Sequence, residues 1–344
     1  MFESILSFFD RHNSFILTTH ESPDADGIGS ELVISSILKK AGKNIRIINS
    51  SPVPKVLQFM TEGTCREACG NNGEVSGIEI EKWNPKEHFP VLENYAMLVL
   101  DTGEKLHLGA IREAIKKTRE TFIIDHHEQI PSSNLKGIID SSASSTAELV
   151  IELACSMGIE LDPHTATAAY AGIVYDSGFF AYPKTTIRTF KAAIKTMEWG
   201  ANPYEIYKQL MQNCSYASLL LQKQALAHLE FHIEKKVALL TLYKEDFEMS
   251  GAEYEEVENI VNIPLRAKEV EVSLLLKEKE NSEVFCSLRS KGYVNVSKIA
   301  HEFGGGGHIT AAGFKTKKSM QETINKLLSC VESRLKIPPQ EGKK

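Results

Sequence analysis

None of the six cysteines, Cys65, Cys69, Cys155, Cys214, Cys286 and Cys330, stands in a CxxC pair. That absence argues against a paired-thiolate zinc site and a disulfide framework, and reduced thiols are expected. Cys65 and Cys69 are close enough in sequence to meet on one helical turn, but no second pair joins them. No apolar run approaches the roughly 20 residues of a membrane-spanning helix. The opening MFESILSFFDRHNS carries Glu3 and Asp10 and no small-residue cleavage site, so a cytoplasmic location is the expectation. Low-complexity tracts and internal repeats are also missing. So is any basic excess: 39 Lys and Arg face 45 Asp and Glu, a net charge of −6, which does not suit a surface built to coat long nucleic acid. The deficit is uneven. Residues 1–234 hold 21 basic against 29 acidic residues, and residues 235–344 hold 18 against 16, so the C-terminal part is mildly basic.

What is present is ordinary for a globular chain, with 42% hydrophobic and 24% charged residues, and 344 residues suggest two domains. From residue 15 to about 185 short apolar runs alternate with helical periods, the pattern of a parallel α/β sheet. Strands are predicted at 15–19, 45–49, 95–100, 121–124 and 137–140. Helices are predicted at about 28–41, 107–118, 145–157 and 163–174. Residues 186–233 read as nearly continuous helix, broken at Gly200-Ala201-Asn202-Pro203 and near Asn213-Cys214-Ser215. From about 235 the pattern turns to strands, at 237–242, 270–276 and 284–288, followed by helices at 295–303 and 318–334. The resulting division is a larger α/β domain over 1–185, a helical connector over 186–234, a smaller α/β domain over 235–336 and a disordered tail over 337–344.

Acidic and histidine residues gather where the parallel strands should end: His20, Asp24 and Asp26 in TTHESPDADGIGS, Asp101 in MLVLDTG, Asp125, His126 and His127 in FIIDHHE, and Asp176 in GIVYDSGFF. The carboxyl edge of a parallel sheet is where open α/β folds hold ligands. So many carboxylates with so few local cations repel one another unless a cation sits among them, and carboxylate with imidazole suits Mn²⁺, Mg²⁺ or Zn²⁺. Asp101, from a different strand end, can bridge two ions through its two oxygens. Two metals roughly 3.5–4 Å apart activate water and stabilise both oxygens of an in-line phosphoryl displacement. Gly27 and Gly29 are expected to leave backbone N–H groups free for a phosphate.

A second cluster lies near the C-terminus. Gly304-Gly305-Gly306-Gly307-His308 precedes Ala311-Ala312-Gly313-Phe314, and Ser287-Leu288-Arg289-Ser290-Lys291 comes from a neighbouring strand. Residues 284–318 carry six basic residues against one acidic. Serial glycines let backbone approach a phosphate closely, so a local anion grip at Arg289, Lys291 and His308 is expected.

The motifs HESPDADGIGS, VLDTG, IIDHHE and YDSGFF resemble the four successive motifs of the DHH phosphoesterases, and GGGGHITAAGF resembles the signature of the DHH-associated C-terminal domain. The resemblance implies a parallel-sheet DHH catalytic domain plus a smaller α/β substrate-binding domain. By it, His20, Asp24 and Asp101 hold one Mn²⁺, and Asp26, Asp101, His126 and Asp176 hold the other, with Mg²⁺ or Co²⁺ as substitutes. His127 would face the scissile phosphate, Asp125 would orient the histidine pair, and Asp101, Asp125 and His127 form the catalytic set. Arg289, Ser290, His308, Gly305, Gly306 and Gly307 would grip substrate. The compact layout is most similar to the nanoRNase/pAp-phosphatase group. This implies hydrolysis of short RNA or DNA oligonucleotides to 5′-mononucleotides and of pAp to AMP, with no membrane partner and room for a homodimer. The alternatives are a phosphodiesterase for pApA, pGpG or cyclic di-AMP and a RecJ-like single-strand exonuclease. A non-enzymatic nucleotide sensor would predict missing ligands, and none is missing.

Overall fold

The computed structural model describes residues 1–62, 79–127, 136–257, 260–279, 283–307 and 309–336. Cys65, Cys69, His308 and the tail 337–344 lie outside the described residues. Packing divides the chain into two units, Met1–Asn213 and Cys214–Lys344.

The first unit runs α1 (Glu3–Arg11), β1 (Ser14–Thr18), α2 (Ala25–Lys40), β2 (Asn44–Asn49), β3 (Ile80–Lys82), α3 (Pro85–His88), β4 (Ala96–Leu100), β5 (Thr121–Asp125), β6 (Lys136–Ile139), α4 (Thr146–Ser156), α5 (Pro163–Asp176), α6 (Ile187–Glu198) and α7 (Pro203–Met211). Its sheet has the order β3-β2-β1-β4-β5-β6, with every neighbouring pair parallel. Both faces are covered, as a parallel sheet requires. Phe15, Leu17, Leu98, Leu100, Phe122 and Ile124 join the core that includes α1, α2, α4 and α5. The alternate residues Ile16, Met97, Val99 and Ile123 join a second core with Trp83, Leu108 and Ile111. The order reverses direction at β1 and β4, so the chain leaves these two neighbours toward opposite flanks and opens a crevice at their carboxyl ends.

Helix α2 is buried on nearly every side, and most of its residues are small or apolar, with Asp26 and Glu31 the buried exceptions. Gly29 is required by closeness: a Cβ there would lie 2.6 Å from the Ala168 carbonyl oxygen of α5. The expected helix at 107–118 is instead a 3₁₀ stretch over Lys105–Lys116, interrupted at Gly109, whose φ of 61° no regular helix admits. The predicted connector is helical. Helices α6 and α7 bury Ala192, Ala193 and Ile206 in the first unit's core, and the next helix belongs to the second unit.

The second unit comprises α8 (Tyr216–Ala227), β7 (Glu230–His232), β8 (Val237–Leu242), α9 (Lys244–Ser250), β9 (Val272–Glu278), β10 (Val284–Ser290), α10 (Val296–Glu302), β11 (Gly306–Gly307), β12 (Ala311–Thr316) and α11 (Met320–Leu335). Its sheet order is β11-β12-β10-β9-β8-β7. Only β8 and β9 are parallel among these neighbours. Val272, Leu274, Cys286, Leu288 and Phe314 pack with Ile299 of α10 and Leu327 of α11.

Candidate metal centre

Three loops and one helix end build the site. After β1 the chain passes His20 and reaches Asp24, the N-cap of α2, whose Oδ1 accepts from the Asp26 and Gly27 N–H groups at 3.0 Å each. The Gly27 N–H is therefore engaged in capping. Both Gly27 and Gly29 lie inside α2 and not before it, so the expected free phosphate donors are not there. β4 ends into Asp101, whose φ of 62° is left-handed and costs a residue with a Cβ roughly 1–2 kcal/mol. Such strain persists where surrounding contacts over-determine it. Thr146 Oγ1 donates to Asp101 Oδ1 at 3.0 Å, one of those contacts.

β5 ends at Asp125, with His126 and His127 following. His127 Nδ1 lies 2.6 Å from Asp125 Oδ1, and the His127 N–H donates to the same oxygen at 3.1 Å. Asp176 does not follow a strand, contrary to expectation. It is the last residue of α5, a helix started by Asp162 as N-cap and Pro163 and kept helical by its buried alanines, Ile173 and Val174.

These residues converge around Asp101, which faces both His20 and His126. His20 Nε2 lies 3.5 Å from Asp24 Oδ2 and 3.5 Å from Asp101 Oδ2. His126 Nε2 lies 2.9 Å from Asp176 Oδ2, 3.5 Å from Asp101 Oδ1 and 3.8 Å from Asp26 Oδ2. Within each of the sets His20–Asp24–Asp101 and Asp26–His126–Asp176 the ligand atoms all fall within 4.8 Å of one another, and Asp101, His126 and His127 form a third. The donors are oxygen and imidazole nitrogen, a hard to intermediate set that fits divalent Mn, Mg, Co or Zn.

The electrostatics favour positive charge among these groups. Burial opposes protonation of His20, but Asp24 and Asp101 outweigh it and hold His20 well above the usual histidine range. Burial likewise opposes protonation of His126, and Asp176 and Asp101 raise it to about 9. Burial, then the facing charges of Asp101, Asp176 and Asp24, push Asp26 well above the usual carboxyl range. Burial also raises Asp101, against the hydrogen bond from His20. Asp24 resists burial because His20 and the Gly27 N–H hold it down at about 2. Protons thus gather where cations would relieve the same repulsion.

Three supports escaped the sequence reading. Asp26 accepts from Thr146 N–H at 2.6 Å and Ala147 N–H at 2.7 Å, so it docks the N-terminus of α4. The sequence did signal that terminus, since Ser145 precedes Glu148 in a capping spacing, but not its docking partner. Lys184 Nζ donates to the His126 carbonyl at 3.2 Å. Buried Asn49 accepts from Thr18 Oγ1 and Thr19 N–H just before His20, and donates to Glu31 Oε2 at 3.0 Å.

In the second unit Arg289 is half-buried on β10. Strand alternation turns Ser290 the other way, and its hydroxyl donates to the Val294 carbonyl at 2.7 Å, so it holds a turn rather than facing a ligand beside Arg289. Lys291 Nζ donates to the carbonyls of Ala267 and Lys268, at 2.7 and 3.2 Å. Gly306 and Gly307 pair with β12, and a Cβ on Gly305 would lie 2.1 Å from the Gly313 carbonyl oxygen, so strand packing already demands glycine at 305.

Residues 14–173 match the DHH family, N-terminal domain, and residues 234–336 match the DHHA1 domain. The chain is 28% identical over 323 residues to the bifunctional oligoribonuclease and PAP phosphatase NrnA of Thermus thermophilus, covering 93% of this chain and 89% of that protein. It is 26% identical to the cyclic-di-AMP phosphodiesterase GdpP of Bacillus subtilis, covering 93% of this chain but 48% of GdpP. Its fold matches the crystal structure of an exopolyphosphatase-related protein from Bacteroides fragilis with a TM-score of 0.85 and 25% identity, over 96% of this chain and 95% of that one. No helix among the described residues is long and apolar enough to cross a membrane.

Proposed function

Because this chain belongs to the DHH family and carries a DHHA1 domain after its acidic site, we propose that it is a metal-dependent phosphoesterase that hydrolyses oligonucleotides of two to five residues to 5′-mononucleotides, and pAp to AMP. The observation that carries the reading is Asp101, whose two carboxylate oxygens face separate ligand sets, Oδ2 toward His20 and Oδ1 toward His126. His20, Asp24 and Asp101 would hold one Mn²⁺, and Asp26, Asp101, His126 and Asp176 the other. When bound, the pair supplies Lewis-acid charge that activates water and stabilises the entering and leaving oxygens of a phosphoryl transfer.

The protein's own residues do the rest. Asp125 fixes the His127 ring through Nδ1 and leaves Nε2 as the edge directed to a phosphate oxygen. Asp125 beside it outweighs the cost of burial and holds His127 above the usual histidine range, which favours the form that presents an N–H donor. Thr146 and the α4 N-terminus restrain Asp101 and Asp26, so the carboxylates need not reorganise during the reaction. Arg289 is the cation we assign to the substrate's terminal phosphate.

The similarity to GdpP favours a second reading, a phosphodiesterase for linear or cyclic dinucleotides. One experiment separates the two. The purified chain with Mn²⁺ is given pAp, pApA, pGpG, cyclic di-AMP, RNA of two to five residues and a 20-mer at fixed ionic strength. The expected result is fastest turnover on the two- to five-residue RNA, a steep fall for the 20-mer, and loss of at least about a thousandfold in Asp101→Ala. Preference for cyclic di-AMP supports the second reading. Degradation of the 20-mer at the dinucleotide's rate, or near-normal turnover by Asp101→Ala, overturns the proposal.

A further inference from the structure

The ladder between β1 and β2 stops at Leu17 and Ile47, before the chain reaches Thr18, Thr19 and His20. Beyond that point a side chain takes over from the backbone. Asn49, the last residue of β2 and fully buried, accepts at Oδ1 from the Thr18 hydroxyl at 3.2 Å and from the Thr19 N–H at 3.1 Å. A backbone N–H can only donate, so the amide oxygen must face Thr19. Nδ2 is then turned to α2, where it donates to Glu31 Oε2 at 3.0 Å.

The peptide on the far side of His20 is held as well, by the Glu21 N–H donating to the His107 carbonyl at 2.6 Å. His20 therefore stands between two peptides whose N–H groups are both engaged. Thr19 also packs against the first turn of α2, because a Cβ on Gly27 would collide with the Thr19 hydroxyl. Through Glu31, Asn49 ties this exit of β1 to the helix whose N-cap is Asp24. One carboxamide thus joins the two segments that deliver His20 and Asp24. The His126 side is supported by other contacts: Asp26 accepts from the Thr146 and Ala147 N–H groups, and Lys184 donates to the His126 carbonyl.

We infer that Asn49 is a positioning residue for one ion of the pair, the one that His20, Asp24 and Asp101 would hold, and that Glu31 keeps Asn49 aimed. A carboxamide suits this task because one planar group accepts from the strand end and donates to the helix. Without it the buried Thr19 N–H lacks its partner, and the peptide before His20 turns to find another, carrying the ring with it. Ligands already held in place lose less freedom when the ion binds, so the effect is on affinity. The inference rests on the two-ion reading above and is independent of the substrate.

The test is calorimetric titration of the metal-free full chain with Mn²⁺ at pH 7. Asn49→Ala should weaken one ion by about tenfold or more, the scale for losing an outer-shell partner, and the other by less than about twofold. Glu31→Gln, which keeps an acceptor for Asn49, should bind both ions within about twofold of the parent, while Glu31→Leu should weaken the same ion as Asn49→Ala. On a His20→Ala background, Asn49→Ala should leave the remaining ion unchanged, since the side it serves is already lost. Similar weakening of both ions, or a loss on that background as large as in the parent, would mean that Asn49 merely supports the fold and would overturn the inference. If urea melts show Asn49→Ala unfolded, Glu31→Leu carries the same comparison. A parent that binds no Mn²⁺ overturns the two-ion reading and this inference together. A parent that binds two ions, with affinities that Asn49→Ala and Glu31→Leu leave unchanged, overturns the positioning role alone.

Discussion

Glu31 offers a prediction whose size can be worked out. It lies in α2 with no solvent exposure, and one oxygen accepts from Asn49 Nδ2 at 3.0 Å. Burial dominates its ionisation and pushes its pKa up to about 8, against 4.5 for an unperturbed glutamate. Between those two values the unfolded chain has released the proton and the native state has kept it, so native stability from this group falls as pH rises from about 4.5 and levels off above about 8. At about 1.4 kcal/mol per pH unit the whole window amounts to on the order of 5 kcal/mol. Glu31→Gln keeps the acceptor for Asn49 and removes the titration. In metal-free protein, the stability of Glu31→Gln relative to the parent should therefore rise by several kcal/mol between pH 5 and pH 8, and change little from pH 8 to 9. Urea unfolding at pH 5, 6.5, 8 and 9 in EDTA measures it. A difference between variant and parent that is the same at pH 5 and pH 8 would refute a buried neutral carboxyl at this position.

Arg188 joins α6 to the start of α4, with Nε 3.1 Å from the fully buried Glu148 and a two-pronged contact to Glu152 at 2.5 and 2.6 Å. Arg188→Leu should cost about 3–5 kcal/mol by leaving Glu148 buried without its cation, and Arg188→Leu with Glu148→Leu should recover part of it in urea melts; a single-variant loss below about 1 kcal/mol contradicts this. His126, raised to about 9, carries a proton at pH 7 that a metal must displace. Metal affinity should thus climb from pH 6 to 9, and calorimetry at pH 7 in buffers of different ionisation enthalpy should register release of at least about one proton per chain. Proton-neutral binding would rule that out.

The clustered residues were legible because most have a local signature: a β-rich run followed by an acid or histidine at β1, β4 and β5 announces a strand end by itself. Asp176 was legible as a member of the cluster but not as to its origin, because Gly-Ile-Val-Tyr-Asp reads equally as a strand or as the last turn of a helix. The supports were not legible. That Asp26 would seat the N-terminus of α4, more than a hundred residues away in sequence, follows from the packing of α2 on α4 and α5, which no local pattern encodes. The glycine run near residue 305 shows a related limit. Its conformational freedom suggests a phosphate loop, and the closeness of Gly305 to Gly313, a demand of strand packing, could not be read locally. Strands β3, β7 and β11, of two or three residues each, are too short for any periodicity to register.

The central position of β1 bears on how the site is made during synthesis. β1 leaves the ribosome early, yet its partner β4 arrives only after β2 and β3, so the middle of the sheet waits for the chain to double back. The set His20, Asp24 and Asp101 has all its members once β4 has emerged, whereas the set around His126 is incomplete until α5 delivers Asp176 as its final residue. A nascent chain halted between those two points carries every residue of the first set and lacks Asp176 of the second. Thr146, which restrains Asp101, also falls in that later stretch, so the carboxylate common to both sides is held in place only once α4 has followed.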